Sequence, residues 1–113
     1  MNTKTLTKLI HKTLDDHKAQ NITLLDVTEL TQITDCMIIC SGTSTRHVKA
    51  LSDHVVKVAK ENHIHVLGIE GEREAEWILV DLDNVIVHIM IPTTREFYQL
   101  EKLCDIKPSS QVA

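Results

Sequence analysis

The stretch AEWILVDLDNVIVHIM, residues 75–90, consists of two aliphatic runs joined by the dipeptide Asp83-Asn84. Both residues of this dipeptide tolerate a positive φ, and a two-residue connection between such runs predicts a tight β-hairpin. Side chains alternate along a strand, so the position of the turn also decides which residues share a face. One face then carries only aliphatic pairs and is expected to be core: Leu82 with Val85, Val80 with Val87 and Ile78 with Ile89.

The other face of the hairpin, called here the mixed face, combines an indole, a thioether, aliphatic groups, a carboxylate and an imidazole. Its predicted pairs are Trp77 with Met90, Leu79 with His88 and Asp81 with Ile86. About three helices cannot cover both faces of a five-stranded sheet, so part of the mixed face is predicted to lack a cover. An uncovered surface with tryptophan and methionine is typical of an interaction site. The alternative for Trp77 is packing in the core under a helix.

The same stretch resembles a small metal site, because it holds an Asp-x-Asp triplet and a histidine. Asp83 belongs to the turn, however, which leaves Asp81 and His88 as ligands and Glu70 as a third candidate from another strand. Two ligands do not make a catalytic zinc site. We therefore predict no metal and no cofactor, and we interpret His88 as a hydrogen-bonded structural histidine.

The rest of the chain alternates between helical and strand patterns. Apolar residues at helical spacing predict three helices, over residues 3–19, 44–63 and 93–104, the second capped by Ser44 or Thr45. Continuous apolar runs predict strands over residues 22–28, 35–42 and 64–69. With the hairpin, the order αββαβββα predicts a single α/β domain over residues 1–107, built on a mixed five-stranded sheet, and a short tail over residues 108–113.

A second candidate site lies in CSGTSTRH, residues 40–47, where Gly42, Thr43 and Ser44 connect a strand to a helix. Backbone N–H groups at such a helix start attract anions, so nucleotide binding is one interpretation. The stretch has one glycine and lacks both G-x-G-x-x-G and Gly-Lys-Ser/Thr, so neither phosphate-binding motif is present. Capping and chain reversal are the favoured explanation of these residues, and an anion site is the alternative.

Composition limits the classes of function. The chain has 113 residues, 42% of them hydrophobic, which suits one modest core. Its net charge is -4, and lysine and arginine are scattered along the sequence, so we expect little direct contact with nucleic acid. Three cysteines without a C-x-x-C pair argue against a disulfide framework. With a polar N-terminus and no apolar run of membrane-spanning length, a cytoplasmic protein without membrane contact is expected.

Three stretches resemble successive blocks of the Iojap (RsfS) family of ribosomal silencing factors, in the same order and at matching separations: residues 33–55, 69–90 and 94–103. The most specific matches are Thr34-Asp35, the loop from Ser41 to Ser44, Glu70-Gly71, Glu76-Trp77, Asp81, Val87-His88 and Arg95-Glu96 with Tyr98. The chain departs from the family pattern at Asn84, where members commonly have an acidic residue, and at Cys104, where they commonly have tryptophan.

The resemblance implies a nucleotidyltransferase-like α/β fold and a protein that is not an enzyme. It also implies binding to the large ribosomal subunit through that subunit's ribosomal protein fourteen. Bound there, the protein would block joining of the small subunit and repress translation when nutrients are scarce.

A binding mode for such a partner follows from the mixed face, which is acidic and partly apolar and therefore suits a basic ribosomal protein. Trp77, Leu79 and Met90 are the expected anchors, near His88, and Asp81 and Glu70 would face lysine or arginine at the rim. In the last helix an i, i+3 spacing places Arg95, Tyr98 and Glu101 on a face that would extend this surface, and the alternative is that they form an ordinary solvated face. Phe97 and Leu100 are predicted to point inward.

Two other classes stay open at this stage. A nucleotide- or metal-binding enzyme would use an anion site at Gly42 to Ser44 with Asp81 or Glu70 as metal carboxylates. Alternatively, the uncovered face could pair with a second copy of the chain and form a homodimer.

Overall fold

The structure is a computed structural model and describes residues 2–28 and 34–99. Within these residues the helices are α1 (Thr3–Asp16), α2 (Thr45–Glu61) and α3 (Pro92–Tyr98). The strands of the described part are β1 (Gln20–Asp26), β2 (Cys36–Ser41), β3 (Gly68–Glu70), β4 (Trp77–Asp81) and β5 (Val85–Met90). The predicted order αββαβββα and the α/β fold class are confirmed.

The strands form one sheet in the order β1-β2-β5-β4-β3. β2 and β5 are parallel at its centre, and the other neighbouring strands are antiparallel. The prediction of a mixed five-stranded sheet is therefore confirmed for the described residues. In the same part of the chain, no helix is long and apolar enough to cross a membrane.

The hairpin of β4 and β5 has the predicted register, from Trp77 opposite Met90 to Asp81 opposite Ile86. Asp83 has a φ of 73°, and its N–H donates to the Asp81 carboxylate at 2.9 Å. The turn therefore uses the tolerance of aspartate for the left-handed region, as the sequence indicated. All six residues of the predicted aliphatic face are buried: Ile78, Val80, Leu82, Val85, Val87 and Ile89.

Helices α1 and α2 pack on this aliphatic face and complete the hydrophobic core. Leu6, Ile10 and Leu14 come from α1, and Val48, Leu51, Val55 and Ala59 come from α2. Ser44 is the N-cap of α2, because its Oγ accepts the His47 N–H at 3.1 Å. Each fully buried aliphatic side chain contributes about 1.5–3 kcal/mol, so this layer provides most of the stability of the domain.

Two predicted elements have different bounds in the structure. The predicted strand over residues 64–69 is wrong over 64–67, because the Ile64 N–H closes the end of α2 on the Ala59 carbonyl at 2.8 Å. Ile64 and Val66 pack against the core from an irregular segment, which explains their apolar character. Helix α1 stops at Asp16 rather than at residue 19, since Lys18 has a φ of 71°.

The last helix also stops early. Gln99 adopts the left-handed conformation, with φ 48° and ψ 49°, and its N–H donates to the Arg95 carbonyl. Residues 100–104 of the predicted helix lie outside the described residues, as do the predicted domain limit at 107 and the tail over 108–113.

Candidate functional site

Among the described residues, α3 lies at one end of the mixed face, where Tyr98 contacts Trp77 and Arg95 donates to Ser41. Met90 and His88 are buried there, beside Ile39 and Ser41 of β2. Further along the same face, Leu79, Asp81 and Ile86 are only half-buried. The predicted gap in the cover therefore exists, but it is smaller than the whole face.

Trp77 and His88 are joined across the hairpin. The indole Nε1–H donates to Nδ1 of His88 at 2.9 Å, so that nitrogen carries a lone pair and the ring is in the neutral tautomer with the proton on Nε2. Burial lowers the pKa of His88 to about 4, which keeps the ring uncharged at neutral pH. The prediction of a hydrogen-bonded structural histidine is confirmed. Nδ1 is occupied by this bond and does not serve as a metal ligand in this conformation.

The sequence contains one tryptophan, one tyrosine and one phenylalanine, and the fold brings all three together. The ring centroids of Trp77 and Tyr98 are 4.8 Å apart, and those of Tyr98 and Phe97 are 5.1 Å apart in an edge-on arrangement. Tyr98 is 52% exposed and Phe97 is 81% exposed. These three residues form what we call the aromatic surface.

The position of Phe97 corrects the prediction for α3, which had placed Phe97 inward and Arg95 outward. The structure has the reverse arrangement, with Arg95 buried at 9% exposure. No local sequence signal indicates this arrangement, because the acceptors of Arg95 lie in β1 and β2.

The side chain of Arg95 extends from α3 to the sheet. Its Nη1 donates to the Asn21 carbonyl oxygen at 2.6 Å and to Ser41 Oγ at 3.2 Å, and its Nη2 donates to Thr23 Oγ1 at 2.9 Å. A buried guanidinium is costly unless it is hydrogen-bonded in this way. Arg95 therefore does not lie on an exposed face of α3, where the prediction had placed it.

The other predicted partner-binding residues divide into surface and interior positions. Glu70 is exposed and lies opposite Leu79 on the mixed face. Met90 is fully buried beside Ser41 of β2, so the expectation that it is a surface anchor is wrong. His88 is buried as well, beside Ile39 of β2. Glu101 lies outside the described residues.

Acidic residues flank the aromatic surface. The β3–β4 connection reads EGEREAE over residues 70–76, and Glu70, Glu74 and Glu76 in it are exposed. Glu72 forms an ion pair with Lys49 at 2.9 Å. Glu96 is exposed next to Phe97, and Asp81 is half-buried next to the turn. The segments that carry the three rings are thus rich in exposed acidic residues.

The loop from Gly42 to Ser44 uses its polar groups internally. The Gly42 N–H donates to the Met90 carbonyl at 2.9 Å, and the Thr43 N–H donates to Nδ1 of His47 at 2.9 Å. A Cβ on Gly42 would lie 2.8 Å from Cγ2 of Val48, so the glycine permits close packing of α2. Capping and packing account for these residues, and the N–H groups at 42 and 43 are not available to an anion.

No cluster of three or more histidine, cysteine, aspartate or glutamate side chains arranged to hold a metal ion occurs within residues 2–28 and 34–99. In particular, Glu70, Asp81 and His88 do not form such a group. The carboxylate of Asp81 instead accepts the N–H of Asp83 in the turn.

Comparison with known proteins gives a consistent result. A family model described as "Ribosomal silencing factor during starvation" (RsfS) matches residues 1–113. A ribosomal silencing factor of Haemophilus influenzae is 46% identical over 98 residues, which cover 87% of this chain and 96% of that protein. A mouse protein named "Mitochondrial assembly of ribosomal large subunit protein 1" is 36% identical over 97 residues, covering 83% of this chain and 42% of that one.

The fold has a solved counterpart. A crystal structure of a protein from Chromobacterium violaceum superimposes with a TM-score of 0.91 at 38% sequence identity, covering 93% of this chain and 88% of that chain.

Proposed function

This chain belongs to the ribosomal silencing factor family, and from that membership we propose that it binds the large ribosomal subunit and keeps the small subunit from joining. The name of the mouse relative, which refers to assembly of the ribosomal large subunit, supports the choice of subunit. Repression of translation under nutrient limitation, in the cytoplasm, is part of the same proposal.

The observation that carries the proposal is the aromatic surface. Trp77, Phe97 and Tyr98 meet on one side of the sheet, and two of them are more than half exposed. Burial of an aromatic side chain removes about 150–250 Å² of surface from water. Rings that stay exposed do not provide this hydrophobic stabilisation to the free protein. Interfaces are enriched in tryptophan and tyrosine, and a few such residues carry most of the binding energy. Contact with another macromolecule would recover the stabilisation.

The charge around the rings supports a basic partner. The strands, connection and helix that carry the aromatic surface also carry exposed Glu70, Glu74, Glu76 and Glu96 and half-buried Asp81, and the whole chain has a net charge of -4. A basic ribosomal protein matches this pattern, whereas RNA phosphates would be repelled by it. Ribosomal protein fourteen of the large subunit is the partner that we propose.

The action proposed is steric and needs no chemical step. The molecule measures 43 × 33 × 22 Å. Even its smallest dimension is much larger than the distance at which the surfaces of the two ribosomal subunits would be in contact. A protein bound at the subunit interface would prevent joining for as long as it stays bound. Inhibition should therefore be stoichiometric with the bound protein.

Co-sedimentation tests the proposal directly. Purified protein is mixed with isolated large or small subunits, and pelleting is compared for the wild type, Tyr98→Ala and Leu24→Ala. Leu24 is the matched control, since it is an exposed apolar residue at 46% that pairs with Ile38 and so points to the other side of the sheet. We expect wild type and Leu24→Ala to pellet with large subunits only and Tyr98→Ala to pellet weakly.

Equal pelleting with both subunits, or with neither, would contradict the proposal. A light-scattering assay of subunit joining completes the test, with the expected result that one bound copy per large subunit abolishes joining.

A further inference from the structure

Helix α3 carries two of the three aromatic rings, but few interactions within the helix stabilise it. It spans the 7 residues Pro92–Tyr98, and Ile91 provides no side-chain cap. Isolated helices of this length are not stable in water. Arg95 is the one buried side chain of this helix, every residue of which is described. Besides the contact of Tyr98 with Trp77, the attachment of α3 to the sheet within the described residues is polar and centres on the Arg95 guanidinium.

The sheet provides acceptors for that guanidinium at three points. Two are in β1, the Asn21 carbonyl at 2.6 Å and Thr23 Oγ1 at 2.9 Å, and one is in β2, Ser41 Oγ at 3.2 Å. The guanidinium of arginine spreads five N–H donors over three nitrogens in a rigid plane and so reaches acceptors on two strands, whereas the three donors of lysine all lie on one nitrogen. One side chain therefore ties α3 to two strands.

The backbone of β1 is irregular at the point where it accepts from Arg95. The β1–β2 register shifts between Gln20 and Thr23, and Asn21 within that irregularity has a φ of 51°. Bulges of this kind redirect groups that would otherwise point along the ladder. Here the Asn21 carbonyl accepts from Arg95.

We propose that Arg95 is a positioning residue for the aromatic surface: it docks α3 on the sheet and thereby holds Tyr98 against Trp77. The proposal rests on the proposed function for its effect on binding, but its structural part concerns the free protein. When Arg95 is removed, α3 undocks, the contact of 4.8 Å between the rings of Trp77 and Tyr98 is lost, and Phe97 leaves with the helix.

The rest of the fold does not depend on α3. The main core lies on the opposite face of the sheet and is built by α1, α2 and the aliphatic face of the hairpin. Arg95→Met should therefore keep a cooperative melt and the far-ultraviolet spectrum of the sheet and long helices. The expected change is local to the mixed face.

The first measurement uses the free protein. Nuclear Overhauser contacts between the rings of Trp77 and Tyr98 are recorded for the wild type, Arg95→Met, Arg95→Lys and Arg73→Met. Arg73 lies exposed in the β3–β4 connection and controls for the loss of one positive charge. We expect the contacts to be present in the wild type and Arg73→Met, absent in Arg95→Met and weakened in Arg95→Lys.

Thr23→Val removes one acceptor in β1 without altering the sequence of α3, so it should weaken the contacts between Trp77 and Tyr98. This variant tests the proposal independently of whether Arg95→Met folds. Persistence of full Trp77–Tyr98 contacts in either Arg95→Met or Thr23→Val would overturn the proposal.

The second measurement is a double-mutant cycle on binding to large subunits. Arg95→Met and Tyr98→Ala should each weaken binding about tenfold or more, as at an interface hot spot, and the double variant should be no weaker than the worse single one. Multiplicative losses would show that Arg95 acts separately from α3 and would refute its positioning role. If the wild type fails to bind large subunits, the proposed function is rejected, whereas the ring contacts in the free protein still decide the role of Arg95.

Discussion

The indole of Trp77 donates its Nε1–H to Nδ1 of His88 at 2.9 Å. Trp77 is paired with Met90 in the hairpin, so His88 is its diagonal neighbour on the opposite strand. The bond fixes one edge of the indole, and the ring of Tyr98 contacts the indole at a centroid distance of 4.8 Å. The indole is thus held between an interior histidine and a surface tyrosine. A rigid aromatic side chain loses less conformational entropy when a partner binds, which favours affinity.

The first prediction concerns pH and His88. Burial lowers its folded-state pKa from 6.5 to about 4, so between these values the unfolded chain binds a proton that the folded protein does not. The contribution of His88 to the free energy of unfolding is complete above pH 6.5. It decreases by up to about 3 kcal/mol as the pH falls toward 4. Melting temperatures of wild type and His88→Gln, measured from pH 7.5 to pH 4.5, should diverge, with the steeper fall in the wild type. Parallel curves would show that His88 is not the titrating group.

The second prediction concerns Trp77→Ala. Trp77 is half-buried, so truncation should cost less stability than the ~3–5 kcal/mol of a fully buried aromatic. Binding to large subunits should weaken by about 2 kcal/mol, as at a hot spot. Titration calorimetry and thermal melts measure the two effects, with Leu24→Ala as the control. A collapsed melting temperature with unchanged affinity would assign Trp77 to the core.

The third prediction tests the acidic rim at Asp81, which also accepts the Asp83 N–H in the turn. Asp81→Asn removes the charge but keeps an acceptor oxygen for that bond, while Asp81→Lys reverses the charge. Affinity for a basic partner should fall in the order wild type, Asn, Lys, and the largest loss should be roughly 2 kcal/mol or more. Raising the salt concentration should narrow the differences between the three proteins. Equal affinities at low salt would place the interface elsewhere.

The fourth prediction concerns Gly42→Ala. The added Cβ would lie 2.8 Å from Cγ2 and 3.0 Å from the backbone nitrogen of Val48, so α2 must shift away from β2. Overpacking of this kind typically costs about 1–3 kcal/mol, which a chemical denaturation curve measures. Phosphate and nucleotides should stabilise neither the wild type nor the variant in thermal-shift experiments. Stabilisation of the wild type alone would restore the anion site as an explanation of this loop.

The hairpin could be predicted from the sequence because its determinants are local. Asp83-Asn84 fixed the turn, and a period of two then assigned each side chain to a face, so that both the aliphatic face and the Trp77–Met90 pairing are correct. The N-cap at Ser44 followed from equally local chemistry. Such features need no knowledge of distant residues.

The orientation of α3 could not be predicted in this way. The usual assumption that apolar residues point inward placed Phe97 in the interior, whereas the buried position belongs to Arg95. Its acceptors lie at Asn21, Thr23 and Ser41, more than 50 positions earlier in the chain. The burial of Met90 was also missed, and the neighbouring strand residue Ser41 is likewise distant in the chain.

The parallel pairing of β2 with β5, from Cys36 opposite Val85 to Ser41 opposite Met90, has a consequence for how fast the chain folds. The β4–β5 hairpin closes locally, on a timescale of about 1–10 μs. β2 joins it only after the long intervening segment, which includes α2, has closed as a loop, and such closure carries an entropic cost. We therefore expect the docking of β5 on β2 to limit the folding rate. Substitutions at Ile38 and Val87, which face each other in this pair, should slow folding more than substitutions in α3 do.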